Sequence, residues 1–362
     1  MPEAVLLVGG QGTRLRPLTL TTPKQMLPVA GVPLLTHQIV KLRDAGVDHV
    51  VLATSYRAEV FSDHFGDGSS LGVALTYVRE EEPLGTGGGI GNVAGQLRSG
   101  ADDPVVVVNG DNLSGHDLSG QLARHREHAA DVTLHLVEVA DARAFGCVPT
   151  DDDGRVLQFL EKMPDPVTSW VNAGCYVFRR SVIDTIPRGR RVSVERETFP
   201  GLLEAGGQVF AWRETAFWSD VGTPRAYVEA SSDVVLGACG WGAAGGSVAD
   251  SPGTDSWIAA GATVSADAVV GEGSAVGAGA VIGSSALVLG SVVMAEARIG
   301  AGARVERSAL GVGAVVGPGV VLVDAVVGDL AVVGAGNELR AGARVWPGVV
   351  LPPTSIRFSP DP

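Results

Sequence analysis

Two rhythms of hydrophobic and polar residues divide this 362-residue chain. Up to about residue 235, short aliphatic runs alternate with longer amphipathic stretches. The runs at 4–8, 50–54, 74–78 and 105–108 have the length and largely apolar character of short buried strands. The stretches 33–45, 57–65 and 118–128 read as helices between them. This alternation predicts an α/β domain, a mostly parallel sheet with helices on both faces. In such sheets ligands gather at the carboxyl ends of the strands.

The second rhythm has a period of six. Aliphatic residues recur at Ile258, Val264, Val270, Val276, Ile282 and Val288 and continue to Val345, with a slip to five at 288–293, 305–310 and 322–327. Glycine follows the aliphatic position at 271, 277, 283, 300, 311, 317, 328 and 334. This is the hexapeptide repeat of a left-handed parallel β-helix, three hexads to a triangular coil, with the slip shortening several coils to 17 residues. One small aliphatic side chain per face fills the interior. A Gly-, Ala- and Ser-rich run at 237–254 reads as a linker. The expected organisation is therefore a catalytic domain at 1–235, a linker at 236–256, the β-helix at 257–354 and a tail at 355–362. A stack with open ends and a flat flank favours assembly, so a homo-oligomer through the β-helix is expected.

The chemistry starts where the first strand stops, in Val8-Gly9-Gly10-Gln11-Gly12-Thr13-Arg14-Leu15-Arg16-Pro17-Leu18-Thr19, closed by Pro23-Lys24. Three glycines let the backbone bend and bring bare N–H groups, those of Gly9, Gly10, Gly12 and Thr13, close to an anion, most often phosphate. Arg14 adds a planar fork and Lys24 a point charge. No Gly-Lys-Ser/Thr follows, and the glycine spacing is not that of a dinucleotide fingerprint. Lysine is scarce: only Lys24, Lys41 and Lys162 occur among 27 basic residues, and two of the three fall in candidate site motifs.

Three further clusters follow strand-like runs. Glu80-Glu81-Glu82-Pro83-Leu84-Gly85-Thr86 opens a helix, its glutamates reading as a solvated face. Val105-Val106-Val107-Val108-Asn109-Gly110-Asp111 puts a carboxylate at a strand end, where it suits Mg²⁺ or forms a turn. Trp218-Ser219-Asp220-Val221-Gly222-Thr223-Pro224 supplies a second aspartate just before a helix that Thr223 caps and Pro224 starts. Two such aspartates could close on one ion. Glu161-Lys162 alone is a common surface dipeptide.

Taken together, the glycine loop with its Pro23-Lys24, Leu84-Gly85-Thr86, Gly110-Asp111, Phe145-Gly146, Glu161-Lys162, Asn172-Ala173-Gly174 and Ser219-Asp220 resemble the sugar-1-phosphate nucleotidyltransferases, over nearly the whole chain. Within that family the chain is most similar to the guanylyl branch, the bacterial mannose-1-phosphate guanylyltransferases, of which Ser193 to Pro200 is also typical, with no role assigned. The resemblance implies a Rossmann-like catalytic domain that joins GTP to a sugar 1-phosphate and releases pyrophosphate. It implies backbone contacts to the base from Gly85, nucleotide contacts at Gly110 and Asp111, and Mg²⁺ on Asp111 and Asp220. It further implies a sugar-phosphate side built from Gly146, Glu161, Lys162 and Asn172. Gln25, Asn112, Met163 and Ser219 depart from the family's commonest pattern. They leave open an acceptor other than mannose 1-phosphate, such as a heptose phosphate or the cyclitol phosphate valienol 1-phosphate. A non-catalytic regulatory subunit is the alternative of a different class.

Composition adds exclusions. A net charge of −13 argues against nucleic acid as a partner. No leader and no long uncharged apolar span is present, so no membrane role is expected. Cys147, Cys175 and Cys239 have no metal spacing and read as reduced thiols of a cytoplasmic protein. All seven histidines lie at or before His135, which argues against a histidine-based acyl transfer in the coil.

Overall fold

The computed structural model describes residues 2–55, 57–240 and 255–357. Contacts divide the chain into two compact units, one formed by the residues up to Gly10 with Gln38–Trp218, the other by Gln11–His37 with Ser219–Pro362.

The first unit is a nine-stranded sheet with helices on both faces. Its centre is Glu3–Leu7, paired in parallel with His49–Thr54 on one side and Pro104–Asn109 on the other, and Ala74–Arg79 extends it beyond His49–Thr54. These are the four aliphatic runs read from sequence. Ala4, Val5 and Leu6 have no exposed surface, as a central parallel strand covered on both faces requires. Beyond Pro104–Asn109 the sheet turns antiparallel through Trp170–Arg179, which also pairs Val132–Glu138. Alternation along the strands sorts the two faces. Val5, Val51, Val107, Leu134 and Tyr176 join one core with Ile90 and Val93 of helix Gly85–Val93 and with Phe199. On the other face Thr133 meets His125 of helix Leu118–Glu127, whose Nδ1 lies 3.1 Å from the threonine hydroxyl.

In the second unit, Gln11–His37 forms three short 3₁₀ turns, Thr13–Leu15, Leu18–Leu20 and Lys24–Met26, and a tight hairpin of Pro28–Val29 with Val32–Pro33. Helix Pro224–Val235 starts as its sequence predicts, with the Thr223 hydroxyl accepting the Ala226 N–H at 3.2 Å. From Ser256 the chain coils into three parallel sheets of six, six and five strands, the left-handed β-helix architecture. The register reproduces the slips. Val264 pairs Ile282 eighteen residues on, whereas Val288 pairs Val305 seventeen on. Residues 241–254 of the expected linker and 358–362 of the tail lie outside the described residues.

The coil interior holds more than one side chain per hexad. Two residues before the aliphatic position stands a second inward residue, alanine at 280, 286, 297, 303, 314 and 331, each at most 1% exposed. After two of the slips this place is taken by Ser291 and Ser308, as it is by Ser274 one coil earlier, and all three are fully buried. They form a ladder. Ser274 Oγ accepts the Ser291 N–H at 3.1 Å, Ser291 Oγ that of Ser308 at 3.1 Å, and Ser308 Oγ that of Ala325 at 3.0 Å. The hydroxyls thus satisfy backbone donors inside an apolar stack.

Leu322 is fully buried in this stack, whereas Leu330 is 68% exposed. Leu322→Ala is expected to cost roughly 2–5 kcal/mol of stability and Leu330→Ala at most about 0.5 kcal/mol. Thermal and denaturant midpoints of the two variants check this; equal midpoints would contradict the inward assignment.

Candidate active site

Leu7, Gly9, Gly10, Ala53, Ser55, Glu80, Pro83, Gly85 and Thr86 line a cavity of about 250 Å³ in the first unit. It lies at the carboxyl ends of three neighbouring parallel strands, as the sheet topology predicts. Gly9, Gly10 and Gly85 of the expected nucleotide set are therefore together. Glu80 is a correction. The sequence reading took it for part of a solvated face, but it is 9% exposed and lines the cavity. One carboxylate oxygen accepts the Leu84 N–H at 3.2 Å. Burial raises its pKa above the usual carboxylate value, against the lowering effect of that N–H. Its position one residue past a parallel strand was the available signal.

The loop opposite Glu80 rests on the motif that sequence left without a role. Val192 O accepts the N–H groups of Gly87 and Gly88 at 2.9 and 3.1 Å, and the Val192 N–H returns a bond to Leu84 O. Thr86 Oγ1 donates to Glu195 Oε2 at 2.8 Å and accepts the Val194 N–H at 3.0 Å. Val192 thus braces the backbone of Leu84, Gly87 and Gly88, while Val194 and Glu195 hold the Thr86 side chain.

Asp111 is half-buried in the turn after Pro104–Asn109. Gly110 belongs to that turn because a Cβ there would lie 2.6 Å from Leu7 O, whose bond from the Gly110 N–H is 2.9 Å. Three side chains outside the motif fix the turn. Gln38 Nε2 donates to Asn109 O at 2.9 Å and Asn112 O at 2.6 Å, on either side of Gly110-Asp111. Lys41 Nζ donates to Ser114 O at 2.6 Å and to His116 Nδ1 at 2.8 Å. Burial pushes the Lys41 ammonium down to about 8. Asn112 Nδ2 donates to Ala173 O at 2.8 Å, tying the turn to the Asn172–Gly174 segment. Gln38 and Lys41 share one helix face at i, i+3, a spacing the sequence showed without saying what it faced.

On the expected sugar side, Gly146 pairs with Glu161 in a two-residue ladder. Lys162 Nζ lies 3.6 Å from Glu161 Oε1, and its side chain is 61% exposed. Asn172 already has partners at both ends of its amide, donating to Tyr176 Oη at 2.9 Å and accepting the Gly174 N–H at 3.1 Å. It holds the irregularity where the strand register shifts between Asn172 and Tyr176.

In the second unit Arg14, Lys24 and Asp220 converge. Lys24 is 6% exposed and its Nζ lies 4.0 Å from Asp220 Oδ1. A Cβ on Gly222 would fall 2.9 Å from Arg14 Nη2 and 3.3 Å from Asp220 Oδ2, so both side chains end over that glycine. Gly12 starts the turn of Thr13 and Arg14 in the left-handed region, with φ of 56°. Its carbonyl accepts the Thr19 hydroxyl at 2.7 Å. Two cations around one carboxylate, with backbone N–H groups nearby, can neutralise a phosphate without a protein nucleophile.

Residues 3–235 match the model of the nucleotidyl transferase family, and residues 254–359 that of the GMPPB C-terminal domain. The chain belongs to the nucleotidyl transferase family. It is 53% identical to a mannose-1-phosphate guanylyltransferase of Mycobacterium tuberculosis, across 99% of this chain and 98% of that one. A mannose-1-phosphate guanylyltransferase catalytic subunit beta of Drosophila melanogaster is 37% identical over 62% of this chain and 61% of its own. The crystal structure of HddC from Yersinia pseudotuberculosis, also solved in complex with GMP-PN, superposes with a TM-score of 0.55 at 29% identity, covering 64% of this chain and 99% of that one.

For this nucleotidyl transferase, Gly222→Ala tests the convergence of Arg14 and Asp220. The new methyl meets the end of a flexible guanidinium, so the fold survives while the cation is displaced by a fraction of an ångström. We expect kcat/KM to fall at least about tenfold, because small misplacements of positioning groups are that costly, with an unchanged melting midpoint. Parent-like turnover would remove Arg14 from the site.

Proposed function

We infer that the chain is a mannose-1-phosphate guanylyltransferase, converting GTP and mannose 1-phosphate to GDP-mannose and pyrophosphate. The full-length match at 53% identity supports the substrates, and the convergence of Arg14, Lys24 and Asp220 carries the chemistry. The acceptor's phosphate oxygen is ionised at neutral pH and attacks the α-phosphorus directly, so catalysis is positioning plus charge neutralisation. Arg14 and the N–H groups of Gly9, Gly10, Gly12 and Thr13 hold the departing pyrophosphate. Lys24 neutralises charge near the α-phosphorus, and Lys162 holds the sugar phosphate beside Gly146, Glu161 and Asn172.

Asp111 and Asp220 are the carboxylates that would hold a divalent cation, which when bound supplies further neutralisation of phosphate charge. Among the described residues no three His, Cys, Asp or Glu side chains form a ready-made cage. That fits Mg²⁺, which takes one or two carboxylates and completes its shell with phosphate and water oxygens. The base is read by Glu80. Guanine offers its N1–H and N2–H groups side by side, and the cavity holds a carboxylate whose second oxygen is not engaged by Leu84. Exposed apolar side chains on the coil, including Val269 and Leu330, support assembly of copies through it. Three buried free thiols fit a reducing, cytoplasmic setting, and among the described residues no helix is long and apolar enough to cross a membrane.

Asn112, which departs from the family pattern, spends its amide on Ala173 O, a structural role that calls for no change of acceptor. Pyrophosphate release by the purified chain, over a matrix of nucleotides and sugar phosphates, tests the whole reading. GTP with mannose 1-phosphate is expected to lead. A preference for valienol 1-phosphate or a heptose phosphate would overturn the acceptor, and no release with any pair would leave a regulatory subunit. Lys24→Ala and Asp111→Ala should each lower kcat by about a hundredfold or more, the usual cost of one preorganised electrostatic group.

Glu80→Gln should raise KM for GTP roughly tenfold and abolish preference for GTP over ITP, which lacks the N2 amino group. The raised pKa of Glu80 means the acceptor protonates earlier than an ordinary carboxyl as pH falls. KM for GTP should therefore climb on the acid side in the parent and stay flat there in the variant. Identical GTP/ITP ratios in both proteins would exclude Glu80 as the reader.

A further inference from the structure

Within the second unit, the segment that carries Arg14 and Lys24 is held in place by residues of the C-terminal part of the chain. Tyr227 Oη donates to Pro28 O at 2.6 Å, and Ser231 Oγ accepts the Ala30 N–H at 3.1 Å. Gly31 lies flush on the Trp257 ring, whose atoms would stand 2.0 Å from a Cβ there. Thr21 Oγ1 donates to Asp329 Oδ2 at 2.5 Å. Nearest to the chemistry, one nitrogen of Arg344, Nη1, donates to Arg14 O at 3.0 Å and Arg16 O at 2.6 Å.

This last contact matters because the turn has little structure of its own. Thr13–Leu15 is a single 3₁₀ turn closed by bonds of 2.9 Å, Leu15 N to Gly12 O, and 3.3 Å, Arg16 N to Thr13 O. Such a short helix is marginal without external support. A guanidinium shared by the carbonyls of residues 14 and 16 fixes the curvature between them with charge-assisted bonds, roughly twice as strong as neutral ones. We propose that Arg344, on the late coil strand Arg344–Val345, is a positioning residue for Arg14, so that the β-helix sets the geometry of the phosphate-binding turn. The proposal rests on the reading of Arg14 as the grip on the leaving pyrophosphate.

Arg344→Gln and Arg344→Lys in the full chain test it, with Arg298→Gln elsewhere on the coil as control. Two readouts are combined, backbone hydrogen exchange of the peptide covering residues 12–16 and kinetics in both directions. For Arg344→Gln we expect faster exchange at that peptide, KM for pyrophosphate in the reverse direction raised roughly tenfold, and KM for mannose 1-phosphate and the melting midpoint as in the parent. Arg344→Lys, which keeps the charge but on a shorter side chain without the planar guanidinium, should fall between. It also stands in should the glutamine variant fold poorly. The control should match the parent.

Unchanged exchange overturns the proposal. So does faster exchange with a uniform rise of every KM and a lowered melting midpoint, which would mark a purely structural contact. Faster exchange at 12–16 with unaltered pyrophosphate KM overturns the positioning of Arg14 as well, and if Arg14→Ala also leaves that KM alone, the fault lies in the reading of Arg14. An inactive parent whose exchange responds as expected would sink the functional reading and leave the Arg344 brace standing.

Discussion

A lysine that is 6% exposed must offset the loss of its hydration, and Lys24 has Asp220 at 4.0 Å to do so. The pair is costly to assemble, since the ammonium leaves bulk water while the aspartate side chain stays 32% exposed, and it is weak evidence for stability on that ground. Its value lies in what it does to a third charge. With Arg14 reaching the same place over Gly222, the unit presents two cations to one carboxylate. That is an excess of positive charge in a chain whose formal net charge is −13. An arriving polyanion meets local attraction inside a molecule that repels it at long range. Composition made the same point indirectly, since Lys24 survives in a protein that uses arginine almost everywhere else. Lys41, the second of the three lysines, is bonded under the Asp111 turn to Ser114 O and His116 Nδ1.

The candidate nucleotide-side residues at Gly9–Arg14, Leu84–Thr86 and Gly110-Asp111 stand on or beside short turns, and these turns are held from outside themselves. Gln38 spans the two carbonyls around Gly110-Asp111. Val192 and Glu195 hold Leu84–Thr86. Thr19 holds Gly12. Turns of this kind let backbone N–H groups point at a phosphate or a base, which a regular ladder cannot do because its donors are already used. Precision then depends on the second layer of bonds, and those bonds come from residues distant in sequence.

That division explains what could be read before the fold was known. The parallel strands, the helices between them and the hexad coil follow from short-range periodicity, and their boundaries agree with the structure within a residue or two, as at Glu3–Leu7, His49–Thr54 and Leu118–Glu127. Arg14, Lys24 and Asp220 stood out in the sequence as charges beside glycine turns, and the structure brings their side chains together. Glu80 was not, because a run of three glutamates looks solvated until the sheet shows that only the first points inward. Asn112 was legible as a departure but not as a bond to Ala173 O, since its partner lies 61 residues away. The second inward position of the hexad, alanine or serine, was present in the sequence at constant spacing. It was hidden by the assumption that one aliphatic side chain fills each face.

The same coil changes what the C-terminal half is for. A solenoid propagates its geometry from each coil to the next, and interior residues at 17- or 18-residue spacing fix where its surface side chains stand. Trp257, Asp329 and Arg344 come from its first, later and near-final coils, and all three touch the segment Gln11–His37. A flexible appendage serving assembly alone would have no reason to place a guanidinium against two carbonyls of the turn that carries Arg14. The serine ladder through Ser274, Ser291 and Ser308 acts in the same direction, since hydrogen-bonded hydroxyls inside the stack resist the slippage that a purely aliphatic interior would tolerate. Rigidity in the coil therefore bears directly on the glycine loop, which has few bonds of its own and whose Arg14 and Arg16 carbonyls are held by Arg344.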